Sequence, residues 1–236
     1  MHLKTLPFYI AIGVLSAIAA LPCFADGGNF STIDCPGATQ SFAQSINTTG
    51  QIVGICYVNG NQFGFATSPD GSLQMLSAGG STGTVATDIN DGGTVVGDYS
   101  TTDFFSHGFV FSNGVYTTFD PPGSVGTIPA GINAGGVVAG SFTRNSGNTY
   151  GFVRDALGYF TSFEVPDFTY LAVTGINDSG EITGYGDVGA MVLGFVREPE
   201  GTIVTFEVPG TTRTLPAAIN NARQITAWAF DKNSEG

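Results

Sequence analysis

Charge is scarce in this chain. Only 11% of its 236 residues are charged, against about 25% in an ordinary soluble domain. Lys and Arg number 7 and Asp and Glu 19, a formal net charge of −12. A nucleic-acid surface must replace counterions with its own cations, so that class of partner is not expected. A charge-solvated disordered chain and a Lys/Glu-rich helical bundle are excluded as well. The 3 cysteines are too few to frame a fold. Histidine is almost absent: Cys35, Cys56 and His107 offer too few ligands, at no zinc-like spacing, so no metal or cofactor is expected. Beyond residue 25 no window sustains a 3.6-residue period, so no helical core is expected. Apolar mass is plentiful, with 42% hydrophobic residues and 19 Phe. Gly and Pro together make up about a fifth of the chain, below the roughly 25–30% of low-complexity sequence.

The first residues read as an address. Lys4 supplies a positive start, 6–21 is an apolar run of signal-peptide length, and Cys23-Phe24-Ala25 resembles a small-x-small cleavage site. The run is shorter than the ~20 residues that span a bilayer. Residues 1–25 are therefore expected to be a signal peptide and 26–236 one repeat domain, secreted to the periplasm or the exterior and free of the membrane after cleavage. Cys35 and Cys56 remain. They fall on different kinds of repeat position, and the sequence leaves open whether they pair.

A repeat covers the rest. Ile-Asn recurs at Ile46-Asn47, Ile89-Asn90, Ile132-Asn133, Ile176-Asn177 and Ile219-Asn220. Three residues after each Asn stands Gly50, Gly93, Gly136 or Gly180, and seven after it Gly54, Gly97, Gly140 or Gly184; the fifth copy has Arg223 and Ala227 there. Gly-Phe follows at Gly64-Phe65, Gly108-Phe109, Gly151-Phe152 and Gly194-Phe195. Twelve residues before the Ile come Asp34, Asp120, Glu164 and Glu207, with Ser77 the exception, and a Pro stands two residues after each acid.

Each copy holds four strand-like runs, as in 128–132 (IPAGI), 94–99 (TVVGDY), 108–111 (GFVF) and 115–120 (VYTTFD). Asn-x-x-Gly suits a tight turn, as do Asp70-Gly71 and Asn113-Gly114. Four antiparallel strands at a period near 43 imply a propeller blade. Small residues (Ala43, Ala86, Ala130, Thr174, Ala217) suit a first strand beside a narrow axis. The expected fold is all-β: a five-bladed β-propeller of four-stranded antiparallel blades. Its last blade is incomplete, and an N-terminal strand, 30–34 (FSTID), closes the ring. A three-stranded final blade and a fragment of a longer product both fit the ending.

The Ile-Asn-x-x-Gly, Gly-Phe and Phe-x-x-Pro-Gly set resembles the bacterial extracellular repeat family named for its His-Ala-Phe motif, met here as His107-Gly108-Phe109. The resemblance runs from residue 30 to about 230. It implies export and a propeller-like fold, and it brings neither an activity nor catalytic residues.

Chemistry-bearing residues are few. His107 stands where other copies carry Phe63, Tyr150 and Leu193, a packing position, and no catalytic residue is assigned. Asp88-x-Asn90-Asp91-Gly92 with Asp98 faintly resembles a calcium loop but reads better as a turn. The acids Asp34, Asp120, Glu164 and Glu207 should lie on one face and cap backbone amides at the strand exits. Second-to-third strand loops, 58–62, 100–106, 143–149 and 186–192, vary most and share that face. Variable loops on a rigid ring are where specificity lives. Within them Phe104 and Phe105 are the ligand-binding candidates, since two adjacent aromatics cannot both face one side of a strand. The expectation is a secreted, monomeric, non-enzymatic binding or scaffold protein whose partner is an extracellular glycan or cell-envelope component. The rivals are a polysaccharide hydrolase or lyase with carboxylates across a central channel, and a repeat protein without ligand.

Overall fold

The computed structural model describes residues 32–231 and the short strand β1 (Ile10–Ile12). The remainder of the expected leader lies outside the described residues, as do residues 30–31 of the expected closing strand. Among the described residues there is no helix, and the repeat copies fold as antiparallel meanders. The first unit is β2 (Gln40–Ile46), β3 (Ile52–Val58), β4 (Asn61–Thr67) and β5 (Leu73–Leu76). The second is β6 (Gly83–Ile89), β7 (Val95–Ser100), β8 (Ser106–Ser112) and β9 (Val115–Phe119). The third is β10 (Ser124–Ile132), β11 (Val138–Arg144), β12 (Thr149–Arg154) and β13 (Phe160–Phe163). The fourth is β14 (Tyr170–Ile176), β15 (Ile182–Val188), β16 (Met191–Arg197) and β17 (Ile203–Phe206). The fifth holds β18 (Arg213–Ile219) and β19 (Ile225–Phe230). Turn chemistry explains the meander: Asn113 and Gly114 both take positive φ (51° and 80°), the two-residue hairpin turn that suits the twist of paired strands.

First strands lie innermost, as their small residues predict. Each carries a one-residue bulge at the same repeat position, at Gln44, Thr87, Ala130, Thr174 and Ala217. Those five residues line one cavity of about 290 Å³, so the five units share an axis. The bulge residues in the first two copies are thus Gln44 and Thr87, one position on from the expected Ala43 and Ala86.

The bulge also explains a repeated glycine. A Cβ on Gly97 would lie 1.9 Å from the Val85 carbonyl oxygen and 3.0 Å from the Phe109 ring, so only Gly admits both. Phe65, Phe109, Phe152 and Phe195 are each buried to 1% exposure or less. Phe65 packs within the first unit; the other three belong to cores made between neighbouring units. Val53, Ala66 and Leu76 of the first unit meet Ile89, Val95 and Phe109 of the second. Val96 and Phe119 meet Val138 and Phe152, and Ala139 and Val165 meet Ile182 and Phe195.

The fifth unit departs. Ala227 replaces the repeated glycine, and no Phe-bearing third strand faces it among the described residues. Arg223 takes a left-handed backbone (φ 62°) where other copies use Gly. Its Nε lies 2.6 Å from Glu181, and Nη2 bonds Glu198, tying the fifth unit to the fourth.

Closure differs from expectation. Residues 32–34 form no strand, and the strand beside β19 is β1, running parallel to it. Ile33 packs instead on the first unit with Cys35, Cys56 and Phe65. The reason is covalent. Cys35 and Cys56 are joined by a disulfide with sequence separation 21, and the Cys35 amide donates to Ser41 Oγ. Cys35 sits on no strand. It occupies the crossover position that Ala78, Val165 and Val208 fill with buried apolar side chains. A loop of this length gives on the order of 3 kcal/mol of stabilisation.

Candidate functional site

The two ends of the axis do different work. At one end the five turn asparagines interlock. Each Oδ1 accepts amides of its own turn, as from Thr94 to Asn90 and Val137 to Asn133. In the first four units Nδ2 then reaches the next unit's Asn carbonyl: Asn47 to Asn90 at 3.1 Å, Asn90 to Asn133 at 3.1 Å, Asn133 to Asn177 at 3.3 Å and Asn177 to Asn220 at 3.2 Å. The sequence suggested only the turn cap. The signal for the latch was the invariance of an amide, since Asp or Ser could cap but could not also donate.

This end encloses about 280 Å³, lined by all five Ile-Asn pairs. Three carboxylates reach the axial cavities, and each serves the frame. Asp88 accepts from Ser45 Oγ (2.6 Å) and the Ile132 amide (2.9 Å), so it joins three units; burial raises its pKa. Asp91 accepts from the Thr48 amide, and Asp178 from the Ala134 amide and Asn221 Nδ2. The calcium-like pattern therefore does not converge. Asp88, Asn90 and Asp91 turn to different neighbours, while Asp98 lies half-buried on β7 beside Ser106, its pKa raised to about 6 by desolvation. Each axial acid is occupied, so the channel offers no free pair for acid–base chemistry.

At the other end lie the unit-to-unit crossings and the second-to-third strand connections. Here the expected role of the acids needs correction. Asp34, Asp120, Glu164 and Glu207 are all exposed on this face. The amide after the acid position goes to a hydroxyl six residues further on: Cys35 to Ser41, Ala78 to Thr84, Val208 to Thr214. A hydroxyl on the incoming first strand can accept there without desolvating a charge. Asp120 is used otherwise: Oδ1 accepts from Thr127 Oγ1 at 2.5 Å, and Oδ2 lies 2.8 Å from His107 Nδ1.

His107 is more than a packing residue. Its Nε2 lies 3.4 Å from Asp103, and its ring tilts over Tyr99 at 5.4 Å. The Asp120 hydrogen bond, aided by Asp103, raises its pKa, so the ring clamps the 101–105 loop to the crossing. Asp103 holds that loop from inside, accepting from Thr101 Oγ1 (2.6 Å) and the Phe105 amide (3.1 Å).

The clamped loop projects Phe104, 93% exposed with a left-handed backbone (φ 66°), and Phe105, 47% exposed. Both candidates lie together at the rim, neither packed under the loop. Of the four connections expected to vary, only those of the second and third units are true loops. Asn59-Gly60 and Gly189-Ala190 are two-residue turns between long strands. On the same face a cavity of about 360 Å³ opens between the third and fourth units, walled by Tyr150, Glu164, Asp167 and Phe168.

Fold and site together define the class. The chain is an all-β protein of propeller type. Among solved structures it is similar to TolB from Acinetobacter baumannii, with a TM-score of 0.55 and 14% identity over 72% of this chain and 43% of TolB. It is also similar to virginiamycin B lyase from Staphylococcus aureus, with a TM-score of 0.50 and 13% identity over 80% of this chain and 63% of the lyase. A gluconolactonase from Xanthomonas campestris aligns with a TM-score of 0.46 and 12% identity over 80% of this chain and 69% of that one. The chain spans less than two thirds of the first two proteins, and at such identities the likeness is one of fold. No protein-family model and no curated protein matches the chain.

Proposed function

We propose that this is an exported, monomeric, non-catalytic binding module of the His-Ala-Phe repeat type that takes an extracellular polysaccharide of the cell envelope on its loop face. One observation carries the reading: Phe104 stands free at the rim in a backbone conformation that a bulky residue seldom adopts. Backbone outliers of this kind cluster at binding sites, where the surroundings must over-determine them. Here Thr101, Asp103 and His107 do so. An exposed aromatic ring on a hydrogen-bonded loop, next to the Asp103 carboxylate, is suited to stacking on a sugar. The disulfide supports export, because such bonds persist in oxidising compartments, and the leader-like start agrees.

The test is binding of the purified chain to a glycan array and to isolated envelope polysaccharide. Phe104→Ala should weaken binding at least about tenfold, the order expected for loss of a stacking ring, with an unchanged melting temperature, and Phe105→Ala should do less. Absence of any glycan binding, or equal binding by Phe104→Ala, would overturn the proposal.

A further inference from the structure

We propose that the cavity between the third and fourth units is a subsite for a cationic amino sugar; this rests on the polysaccharide reading above and names the sugar chemistry. The cavity, about 360 Å³, falls in the size range of small-ligand sites. It lies where the repeat breaks its own pattern twice.

The first break is Asp167. The position three residues after the acid is Gly37, Gly80, Gly123 and Gly210 in the other copies, all with positive φ. The fourth copy keeps the left-handed backbone (φ 69°) and places an aspartate there. Glycine adopts this conformation freely and a side chain does not, so the fold alone favours Gly. What Asp167 adds is a second exposed carboxylate beside Glu164 in the cavity wall.

The second break is Leu171, which stands where Ser41, Thr84 and Thr214 accept the crossover amide and Thr127 donates to Asp120. A different bond forms here: Thr149 Oγ1, from the neighbouring unit, accepts the Leu171 amide at 2.7 Å. That bond draws the β11–β12 hairpin against the crossing and forms the cavity wall. The same hairpin carries Tyr150, stacked on Phe142 with centroids 5.3 Å apart and held by the Arg144 guanidinium 4.3 Å from its own centroid. Phe168 fills the opposite side, its ring edge-on to Phe195 at 6.2 Å.

The lining thus combines fixed aromatic rings, two carboxylates and neutral hydrogen-bonding groups, with no Lys or Arg among its residues. Tyr150 and Phe168 give the cavity aromatic walls. Two unneutralised carboxylates favour a ligand that brings positive charge and disfavour an acidic one. A protonated amino sugar meets both demands.

Isothermal titration of the full chain with the tetramers of glucosamine, N-acetylglucosamine and glucose tests this. The glucosamine tetramer should bind at least tenfold more tightly than the other two, and more weakly in 0.5 M salt. Asp167→Gly restores the repeat residue, so it should keep or raise the melting temperature while losing at least tenfold in affinity; Glu164→Gln should lose affinity without any backbone change. Equal binding of the three tetramers, wild-type affinity in Asp167→Gly, or a fall in its melting temperature would overturn the subsite. If Phe104→Ala abolishes binding and Asp167→Gly does not, the loop reading stands and the subsite falls. The reverse result keeps the subsite and removes Phe104. No binding by any tetramer or polysaccharide removes both.

Discussion

The same residues meet opposite fates on two sides of the axis. Between the first and second units, and between the second and third, Ile89 and Ile132 are each 5% exposed; Ile46, at the same repeat position in the first unit, is 65% exposed. On the opposite sheet face, Val53, Val96, Ala139 and Thr183 are fully buried in the four complete units, whereas Thr226 in the fifth is exposed and Trp228 beside it is 67% exposed. The Ile-Asn pair and the bulge before it are alike in all five copies. What differs is the neighbour. A propeller unit does not own its core; it makes half of each of two cores. Covering one Ile is worth about 1.5–3 kcal/mol, so each completed junction adds stability that the side between the fifth and first units lacks. The disulfide braces the first unit internally, and the Arg223 ion pairs tie the fifth unit to the fourth.

Mutations at matched sites would break or sharpen this contrast. The largest effect belongs to Phe109, which is fully buried: Phe109→Ala should cost about 3–5 kcal/mol in chemical denaturation, while Trp228→Ala should stay within about 0.5 kcal/mol. Comparable losses at the two sites would show that the fifth unit packs against the first in solution.

Asp98 comes next, at the repeat position that Trp228 takes in the fifth unit. Its folded pKa is raised to about 6, whereas an unfolded Asp titrates near 4. The folded form therefore binds the extra proton between those values, and stability falls as pH rises from about 4 to about 6. Asp98→Asn should flatten that slope and gain roughly 1–2 kcal/mol at pH 7. An unchanged pH profile would show that Asp98 is hydrated and the junction loose. His107 acts in the same direction at higher pH. Its pKa is raised by Asp120, so its contribution is complete below about 6.5 and is lost as pH climbs through its folded value.

The smallest contrast lies in the asparagine chain. Asn90→Ala removes a buried link to the next unit and should cost about 1–3 kcal/mol. Asn220 is exposed, and its Nδ2 bonds only Gln224 of its own turn; Asn220→Ala should cost about 0.5 kcal/mol. Equal costs would mean that the latch adds nothing beyond the turn cap.

Much of this was legible beforehand, and for a clear reason. The Ile-Asn-x-x-Gly spacing, the Gly-Phe pairs and the Asn-Gly turns act within a few residues of themselves, so strand order, turn positions and the inner place of the first strand follow from pattern. Phe104 and Phe105 stood out because adjacent aromatics defeat strand alternation. The Thr84 and Thr214 hydroxyls were missed, because a Thr in a strand is unremarkable until its partner amide is known. Asp167 breaks a glycine rule that is visible in the aligned copies, but only its positive φ shows that the backbone still takes the glycine conformation. The acids after the fourth strands were read as amide caps, since short-range hydrogen bonding is the default for such residues, yet incoming hydroxyls had taken the amides.

By itself, the amino-acid sequence determined the repeat, the β class, the turns and the acidic, cation-poor surface. These rest on side-chain period, backbone preference and charge count, all properties of nearby residues. Tertiary structure alone decided that Cys35 meets Cys56, that His107 lies between Asp103 and Asp120, and that Ile46 is exposed while Ile89 is buried. Each of those depends on which distant surface arrives opposite, and a local pattern carries no record of its neighbour.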